Sequence, residues 1–233
     1  MVKLKPRLIT FDFGDTLVSS EPRYLTRIWM GLKELGVKSS RPEVERAYHL
    51  ADWKVSKNQI RASEYSPERY QRNLGKALLD QLGVKIDREK LLKELAGWLM
   101  GFRPERVMVP GALPLLQELA QRGCQMGIIS NNDGRTREKC RSVGIENYFS
   151  FILDSTREKM CKPDPKFFRK ALKLAGARPE ETVHIGDLWG SDVLGARKVG
   201  LWAIWIENAY VRPGKLDRVF RVKKIGQALK YIK

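Results

Sequence analysis

Three short apolar segments, far apart in the chain, each end in polar residues. Residues 7–12 end in Asp12, residues 125–130 end in Ser130 with Asn131 next, and residues 182–187 end in Asp187. Short apolar runs that stop at polar positions indicate buried strands. If helices join these strands, the sheet is parallel and the carboxyl ends of its strands lie at one edge. We therefore expect these polar side chains to meet at a single site.

The segment between the first two of these strands has a different pattern. Four stretches in it are typical of helices, with no convincing strand between the stretches, at residues 23–35, 42–57, 67–82 and 88–100. From about residue 107 strands and helices alternate, which predicts a parallel sheet in three layers. We therefore predict an α/β core formed by residues 1–17 and 103–233, with an all-helical domain at residues 18–102. The two connections, at residues 18–21 and 102–109, would let the helical part move as a lid.

The composition excludes some classes of protein. Of the 233 residues 42% are hydrophobic, which supports a packed core, and no apolar stretch approaches the roughly 18 residues of a membrane span. The first residues lack the apolar centre of a signal peptide and the three cysteines form no metal-binding pattern, so we expect a cytoplasmic protein with reduced thiols. The formal net charge of +17 is spread along the chain, which favours a solvated surface that attracts small anions over a nucleic-acid interface.

Asp12, Asp187 and Asp192 are the acidic residues expected at the common edge. Each has an ordinary structural interpretation, because Asp is frequent in turns after strands and in the first turn of a helix. Two carboxylates about 4 Å apart repel each other by roughly 4 kcal/mol at an effective dielectric constant of about 20. Three converging carboxylates would therefore need a hard cation with oxygen ligands, for which Mg²⁺ is a better candidate than Zn²⁺.

Several residues near this edge could act on a phosphoryl group. Asp12 could attack phosphorus and form an aspartyl-phosphate, and Lys162 could neutralise the nucleophile and the transferring oxygens. Thr16 could orient the phosphoryl group with its hydroxyl, and Ser130 and Asn131 could offer a hydroxyl and backbone N–H groups. The structural alternatives are a surface lysine, a turn hydroxyl and a helix N-cap.

The order of these motifs resembles that of the haloacid dehalogenase (HAD) superfamily of hydrolases. The resemblance covers the whole chain, and the helical segment is similar to the C1 cap of that superfamily. It implies a Rossmann-like core, a Mg²⁺ cofactor, an Asp nucleophile and, most often, phosphatase activity. By motif, Asp12 matches the nucleophile, Ser130 the phosphoryl-binding hydroxyl, Lys162 the family's lysine, and Asp187 with Asp192 the acidic metal motif.

One position departs from the pattern of the resembling phosphatases. These have Asp-x-Asp-Gly-Thr, where the second Asp is the general acid and base, whereas this chain has Gly14 at that position and Asp15 one residue later. Gly14 can offer a backbone carbonyl to Mg²⁺ but cannot protonate a leaving group. General acid catalysis contributes about 10²–10⁴-fold in rate. Either Asp15 serves as the acid, or the substrate has a leaving group that needs little help, such as an aryl or acyl phosphate.

The sequence therefore predicts a Mg²⁺-dependent phosphatase that acts on a small phosphate ester through an aspartyl-phosphate on Asp12. One alternative is 2-haloacid dehalogenase chemistry, which needs neither acid nor metal. Gly14 favours that alternative, while the repulsion between Asp187 and Asp192 opposes it. A second alternative is a non-catalytic basic binding protein on the same fold. The protein is expected to be a monomer or homodimer without membrane partners.

Overall fold

A parallel six-stranded sheet forms the centre of the molecule. The computed structural model describes residues 3–60, 66–85 and 87–233, so that a few positions of the predicted core and helical domains, residues 1–2, 61–65 and 86, lie outside the described residues. The strand order is β5-β4-β1-β6-β7-β8, and all pairs are parallel. The strands of this sheet are β1 (Leu8–Phe11), β4 (Gln125–Ser130), β5 (Phe151–Asp154), β6 (Thr182–Gly186), β7 (Trp202–Ile206) and β8 (Val219–Val222).

Helices cover both faces of the sheet and fill the segment after the first strand. They are α1 (Tyr24–Glu34), α2 (Arg41–Gln59), α3 (Pro67–Gln81), α4 (Arg88–Met100), α5 (Ala112–Gln121), α6 (Thr136–Ser142), α7 (Ser155–Glu158), α8 (Pro165–Ala175) and α9 (Gly195–Lys198). In the part of the chain that the structure describes, 3₁₀ turns also lie at Glu146–Tyr148, Pro179–Glu181 and Ile225–Lys230. Within the described ranges, no helix is both long enough and apolar enough to cross a bilayer.

The buried strand β1 shows why the sheet is covered on both faces. Its four residues are all buried, and successive side chains of a strand point to opposite faces. Leu8 belongs to the apolar cluster on one side, and Ile9 and Phe11 belong to the cluster on the other side. A strand that is buried on both faces has a nearly continuous apolar sequence, and in β1 only Thr10 interrupts it. The predicted three-layer α/β fold is confirmed.

A second, two-stranded sheet connects the helices to the core. β2 (Val18–Glu21) pairs antiparallel with β3 (Glu105–Met108), with Val18 opposite Met108. These strands fall at the two predicted connections, and their pairing brings both ends of the helical excursion together. Antiparallel pairing of two connections was not part of the sequence prediction, because two short, half-exposed strands carry little periodic signal.

Helices α1 to α4 lie between β2 and β3, and we call them the helical segment. They enclose an apolar cluster to which Leu32, Val44 and Leu79 contribute fully buried side chains, and Cys161 from outside the helical segment also belongs to it. α2 begins with a capping box, since Ser40 accepts from the Glu43 N–H while the Glu43 carboxylate accepts from the Ser40 N–H.

The segment after β6 differs from the single helix predicted over residues 191–199. A π-helical turn at Trp189–Leu194 precedes the short α9. Gly190 explains why this turn starts early and close to α2, because a Cβ atom there would lie 2.5 Å from the backbone oxygen of Asp52. Only glycine permits this approach of two backbones.

Candidate active site

Asp12, Asp187 and Asp192 come together at the carboxyl edge of the sheet. One carboxylate oxygen from each of the three lies within 4.8 Å of the others. The sheet explains this, because β1 and β6 are adjacent with Phe11 opposite Ile185, so that both chains leave the sheet side by side. Asp192 follows in the π-helical turn. Three oxygen ligands at this spacing could hold one divalent cation.

Lys162 is the cation of this cluster and is fully buried. Its Nζ donates to Asp12 Oδ1 at 2.5 Å and to Asp192 Oδ1 at 2.6 Å. The Asn131 side chain fixes the backbone of the lysine, donating from Nδ2 to the Lys162 carbonyl (2.9 Å) and accepting from the Lys162 N–H (2.7 Å). A lysine paired with two buried carboxylates is not a surface lysine.

Burial and mutual repulsion shift the acidity of the three carboxyl groups in different directions. Burial raises the pKa of Asp12 to about 6 even though Lys162 opposes the rise. Burial, and then the charges of Asp12 and Asp192, hold the pKa of Asp187 well above its usual range. Although burial alone would raise the pKa of Asp192, Lys162 and His184 bring it below its usual value. One ammonium group therefore does not satisfy three carboxylates, and Asp187 is the one that most needs a further cation.

Asp192 is held by the protein on both oxygens. Oδ1 accepts from Lys162 and lies 3.3 Å from His184 Nε2, while Oδ2 accepts from the Leu188 N–H at 2.9 Å. Burial lowers the pKa of His184, so its neutral ring can donate from Nε2 and accept at Nδ1 from the Thr10 hydroxyl, 2.9 Å away. Sequence reasoning did not find His184 and Thr10 as supports of Asp192. The available signal was a pair of polar residues in two otherwise apolar strands.

The three predicted phosphoryl-binding residues lie around the cluster in different ways. Ser130 ends β4 and is buried, next to β1 in the sheet. Asn131 uses its side chain on the backbone of Lys162, which leaves its backbone N–H for a ligand. Thr16 is buried and donates its hydroxyl to Asp187 Oδ1 at 3.2 Å. The structure therefore gives Thr16 a contact that the sequence did not predict, as a support for a carboxylate.

Asp15 lies on the side of the cluster that faces the helical segment. Its backbone is left-handed (φ 54°), and its N–H donates to the Val18 carbonyl at 2.9 Å. Its Oδ1 accepts from Ser19 Oγ at 2.5 Å and from Arg23 Nε at 3.4 Å. Gly14 is exposed, beside the cluster. It has no side chain, so it can offer a ligand only its backbone carbonyl and N–H groups.

Asp52 of α2 connects the helical segment to the turn that carries Asp192. The carboxylate is fully buried and accepts from the backbone N–H groups of Gly190 (2.7 Å) and Ser191 (3.1 Å). It also accepts from the Tyr70 hydroxyl at 2.9 Å. Burial raises the pKa of Asp52 to about 6. No local pattern marks this residue, because its partners are 138 and 139 positions away.

Two more polar residues of α2 contact the core on the same helical face. Glu45 accepts from the Tyr210 hydroxyl at 2.8 Å, and the His49 ring stacks on the Tyr210 ring with centroids 5.7 Å apart. Positions 45, 49 and 52 are spaced by four and three residues, which puts them on one face of a helix. We call these three residues and their core partners the polar seam. A polar seam can open into water at lower cost than an apolar contact of equal area.

We expect Asp52→Ala to lower the free energy of unfolding by about 3 kcal/mol, because several buried donors lose their acceptor together. Tyr70→Phe is the matched control. It removes one of the same hydrogen bonds and should cost about 1 kcal/mol. Urea unfolding of both variants measures the difference. Equal destabilisation by the two substitutions would contradict the role given to the Asp52 carboxylate.

Comparison with known proteins relates the chain to one family. A model of haloacid dehalogenase-like hydrolases matches residues 6–200. A glyceraldehyde 3-phosphate phosphatase of Pyrococcus furiosus is 29% identical over 220 residues, which is 92% of this chain and 85% of the relative. A phosphoserine phosphatase of Thermus thermophilus is 35% identical over 122 residues, 52% of this chain and 49% of the relative.

Solved structures agree with the sequence relatives on the fold. A putative HAD-hydrolase from Bacillus subtilis bound to magnesium superposes with a TM-score of 0.65 at 18% identity, covering 97% of this chain and 98% of its own. A predicted phosphoglycolate phosphatase from Haemophilus somnus gives a TM-score of 0.66 at 18% identity, covering 96% of each chain. The resemblance drawn from the motifs is confirmed, and the chain belongs to the haloacid dehalogenase-like hydrolases.

Proposed function

We propose that this protein is a Mg²⁺-dependent phosphatase that hydrolyses a small phosphorylated substrate through an aspartyl-phosphate on Asp12. The observation that carries the proposal is the cluster of Asp12, Asp187 and Asp192 within 4.8 Å, with Lys162 bonded to the predicted nucleophile. The names of the Pyrococcus and Thermus relatives support phosphate-ester hydrolysis as the reaction class.

The residues of the cluster fit a magnesium ion. Asp12, Asp187 and Asp192, with the Gly14 carbonyl, would hold it through oxygen atoms, which this ion prefers. When bound, the ion would offset the repulsion between the carboxylates and attract the phosphate group. The elevated pKa of Asp187 supports this assignment, because an unsatisfied buried carboxyl group gains most from a cation.

The surrounding residues would orient the phosphoryl group for attack by Asp12. Lys162 keeps one Asp12 oxygen in place and adds positive charge next to the phosphoryl oxygens. Ser130 would donate its hydroxyl and Asn131 its backbone N–H. Thr16 would act by holding Asp187 in addition to any contact with the phosphoryl group.

We also propose that the helical segment is a cap over this site, with the core at residues 1–17 and 103–233 and the cap at residues 18–102. The paired strands β2 and β3 and the polar seam support this division, since both are contacts that a moving cap could keep or release. Three free cysteines fit the reducing cytoplasm as its location.

A substrate panel tests the proposed function. The purified protein is assayed against phosphate monoesters, acyl phosphates and 2-haloacids, each with Mg²⁺ and with EDTA. We expect phosphate release that needs Mg²⁺ and no release of halide. Halide release that persists in EDTA would instead support dehalogenase chemistry, which the clustered carboxylates disfavour because it gains nothing from their repulsion.

Magnesium affinity is expected to depend on pH through the carboxyl groups of the cluster. The pKa of Asp12 is raised to about 6 and that of Asp187 lies well above its usual range, so protons compete with the ion as pH falls through about 6. Affinity should weaken about tenfold for each pH unit below about 6. In EDTA, stability depends on pH in the opposite direction. The pKa of Asp12 is higher in the folded protein than in the unfolded chain, so the folded protein binds more protons. The contribution of Asp12 to stability therefore falls as pH rises from about 4 to 6.

Thermal unfolding with and without Mg²⁺ at about pH 5 and about pH 7.5 measures this competition. The increase in melting temperature caused by Mg²⁺ should be larger at the higher pH. Asp187→Asn serves as the control and should lose most of the increase at both pH values. An increase that is the same at both pH values in the wild-type protein would contradict the assignment of the ion to these carboxylates.

A further inference from the structure

Gly14 is a glycine that the backbone does not require. Its φ lies outside the left-handed region, and a Cβ atom built there would meet no atom within 4 Å. Other glycines of the chain are structurally required. A Cβ at Gly190 would lie 2.5 Å from a backbone oxygen, and Gly111 has a φ of 89°. The backbone therefore tolerates a Cβ atom at position 14, and its absence affects the chemistry of the site more than the fold.

Asp15 does not fill the place left by Gly14. Its carboxylate accepts from the Ser19 hydroxyl in β2 and from the guanidinium of Arg23, which precedes α1. Its backbone is fixed by the hydrogen bond to Val18 and by its left-handed φ. These contacts direct the Asp15 side chain toward the connection between core and helices, where both donors bind its Oδ1.

Other proton-bearing side chains lie near the cluster. Beside the hydroxyls and carboxyl groups described above, they include Lys162, Tyr48, His49 and His184, and the His184 ring contacts Asp192 and Thr10 through its two nitrogens. Lys162 is bonded to two carboxylates beside the nucleophile. Burial and nearby charges raise the pKa of Tyr48 well above its usual value, so its phenol holds its proton. His49 lies in the polar seam, stacked on Tyr210, and burial lowers its pKa to about 4.

We propose that this enzyme supplies no general acid to the departing oxygen and therefore acts on phosphates whose leaving group departs as a stable anion, namely acyl and aryl phosphates. This inference rests on the proposed phosphatase function. It also separates this chain from the two relatives described above, since glyceraldehyde 3-phosphate and phosphoserine are alkyl phosphates with poor leaving groups.

The chemical steps show where the missing acid matters. In the first step an Asp12 oxygen forms a bond to phosphorus while the bond from phosphorus to the leaving oxygen breaks. The leaving group keeps the bonding electron pair and takes its proton, if any, from water outside the site. In the second step a water oxygen bonds to phosphorus and the bond to Asp12 breaks, which gives inorganic phosphate, a free carboxylate and one proton to solvent. Without an acid, the first step follows the stability of the leaving anion.

A leaving-group series tests the proposal on the wild-type enzyme. kcat/KM is measured with Mg²⁺ for acetyl phosphate, aryl phosphates of graded phenol pKa, and alkyl phosphates. We expect kcat/KM to fall steeply with leaving-group pKa, with a further gap of about 10²–10⁴-fold for the alkyl phosphates. If log kcat/KM plotted against leaving-group pKa had a slope close to zero, the inference would be overturned while the phosphatase function would remain supported. No turnover of any phosphate would overturn both.

Gly14→Asp gives the sharpest comparison because a Cβ atom at this position meets no neighbouring atom. This variant should raise kcat/KM for alkyl phosphates by about 10²-fold or more and flatten the slope. Gly14→Asn adds a side chain of the same shape without an acidic proton and should keep the wild-type slope. Equal changes of kcat/KM in Gly14→Asp and Gly14→Asn would overturn the inference. A shallow dependence on leaving-group pKa in the wild-type enzyme that becomes steep in Asp15→Asn or Tyr48→Phe would also overturn it, because that result would identify an acid already present.

Discussion

Asp12→Asn is expected to lower kcat/KM for an aryl phosphate by about 10⁴-fold or more. The amide is a poor nucleophile, and removal of a covalent nucleophile costs more than removal of any single supporting group. The loss should appear in kcat, because the chemical step is affected rather than substrate capture. Initial rates with saturating Mg²⁺ measure it directly.

Stability provides the control for this variant. The raised pKa of Asp12 shows that its charge is costly in the folded protein without metal. Asp12→Asn should therefore melt in EDTA at or above the temperature of the wild-type protein, so that the loss of activity cannot come from unfolding. Asp217→Asn, at an exposed position far along the chain, should change neither quantity. An Asp12→Ala variant with more than about a hundredth of wild-type activity would rule out Asp12 as the nucleophile.

Lys162→Met is expected to destabilise the protein in EDTA by about 3–5 kcal/mol. The substitution keeps a long side chain but removes the cation that pairs with Asp12 and Asp192, both of which are buried. Breaking a buried pair is costly because the remaining charges have no partner. Mg²⁺ should recover part of the loss, since the ion supplies positive charge to the same carboxylates. Urea unfolding in EDTA and in Mg²⁺ measures both effects.

Lys170→Met is the matched control for Lys162→Met. Lys170 pairs with Glu158, but its side chain is 40% exposed, so the loss should be below about 1 kcal/mol. If Lys162→Met fails to fold in EDTA, Lys162→Arg keeps the charge and should retain most of the stability. Equal urea midpoints for Lys162→Met and Lys170→Met in EDTA would show that the buried pairs do not hold the cluster together.

The central sheet was predictable because its signal is local. β1, β4 and β6 are apolar runs that stop at Asp12, at Ser130 and just before Asp187, and the topology of a parallel sheet then brings those ends to one edge. The meeting of Asp12 and Asp187 therefore follows from strand order, even though 175 positions separate them along the chain. The prediction needed no knowledge of side-chain geometry.

The parts that were not predicted depend on which side chains face each other across long distances. Asp52 lies in the middle of a helix, where nothing local distinguishes a buried anchor from a solvated carboxylate. Thr16 was expected beside a phosphoryl group, but the direction of its hydroxyl, toward Asp187, follows from the turn after β1. Asp15 was left open between two roles. Its contacts with Ser19 and Arg23 appear only once the start of the helical segment is placed.

Trapping of the covalent intermediate tests the central claim most directly. The wild-type enzyme with Mg²⁺ is mixed with p-nitrophenyl phosphate, quenched in acid within the first turnovers, and analysed by peptide mapping with mass spectrometry. We predict a phosphoryl group on the peptide that contains Asp12, formed together with a burst of p-nitrophenolate and absent from Asp12→Asn. Sustained turnover with a phosphoryl group on another residue, or with none on any peptide, would contradict the account.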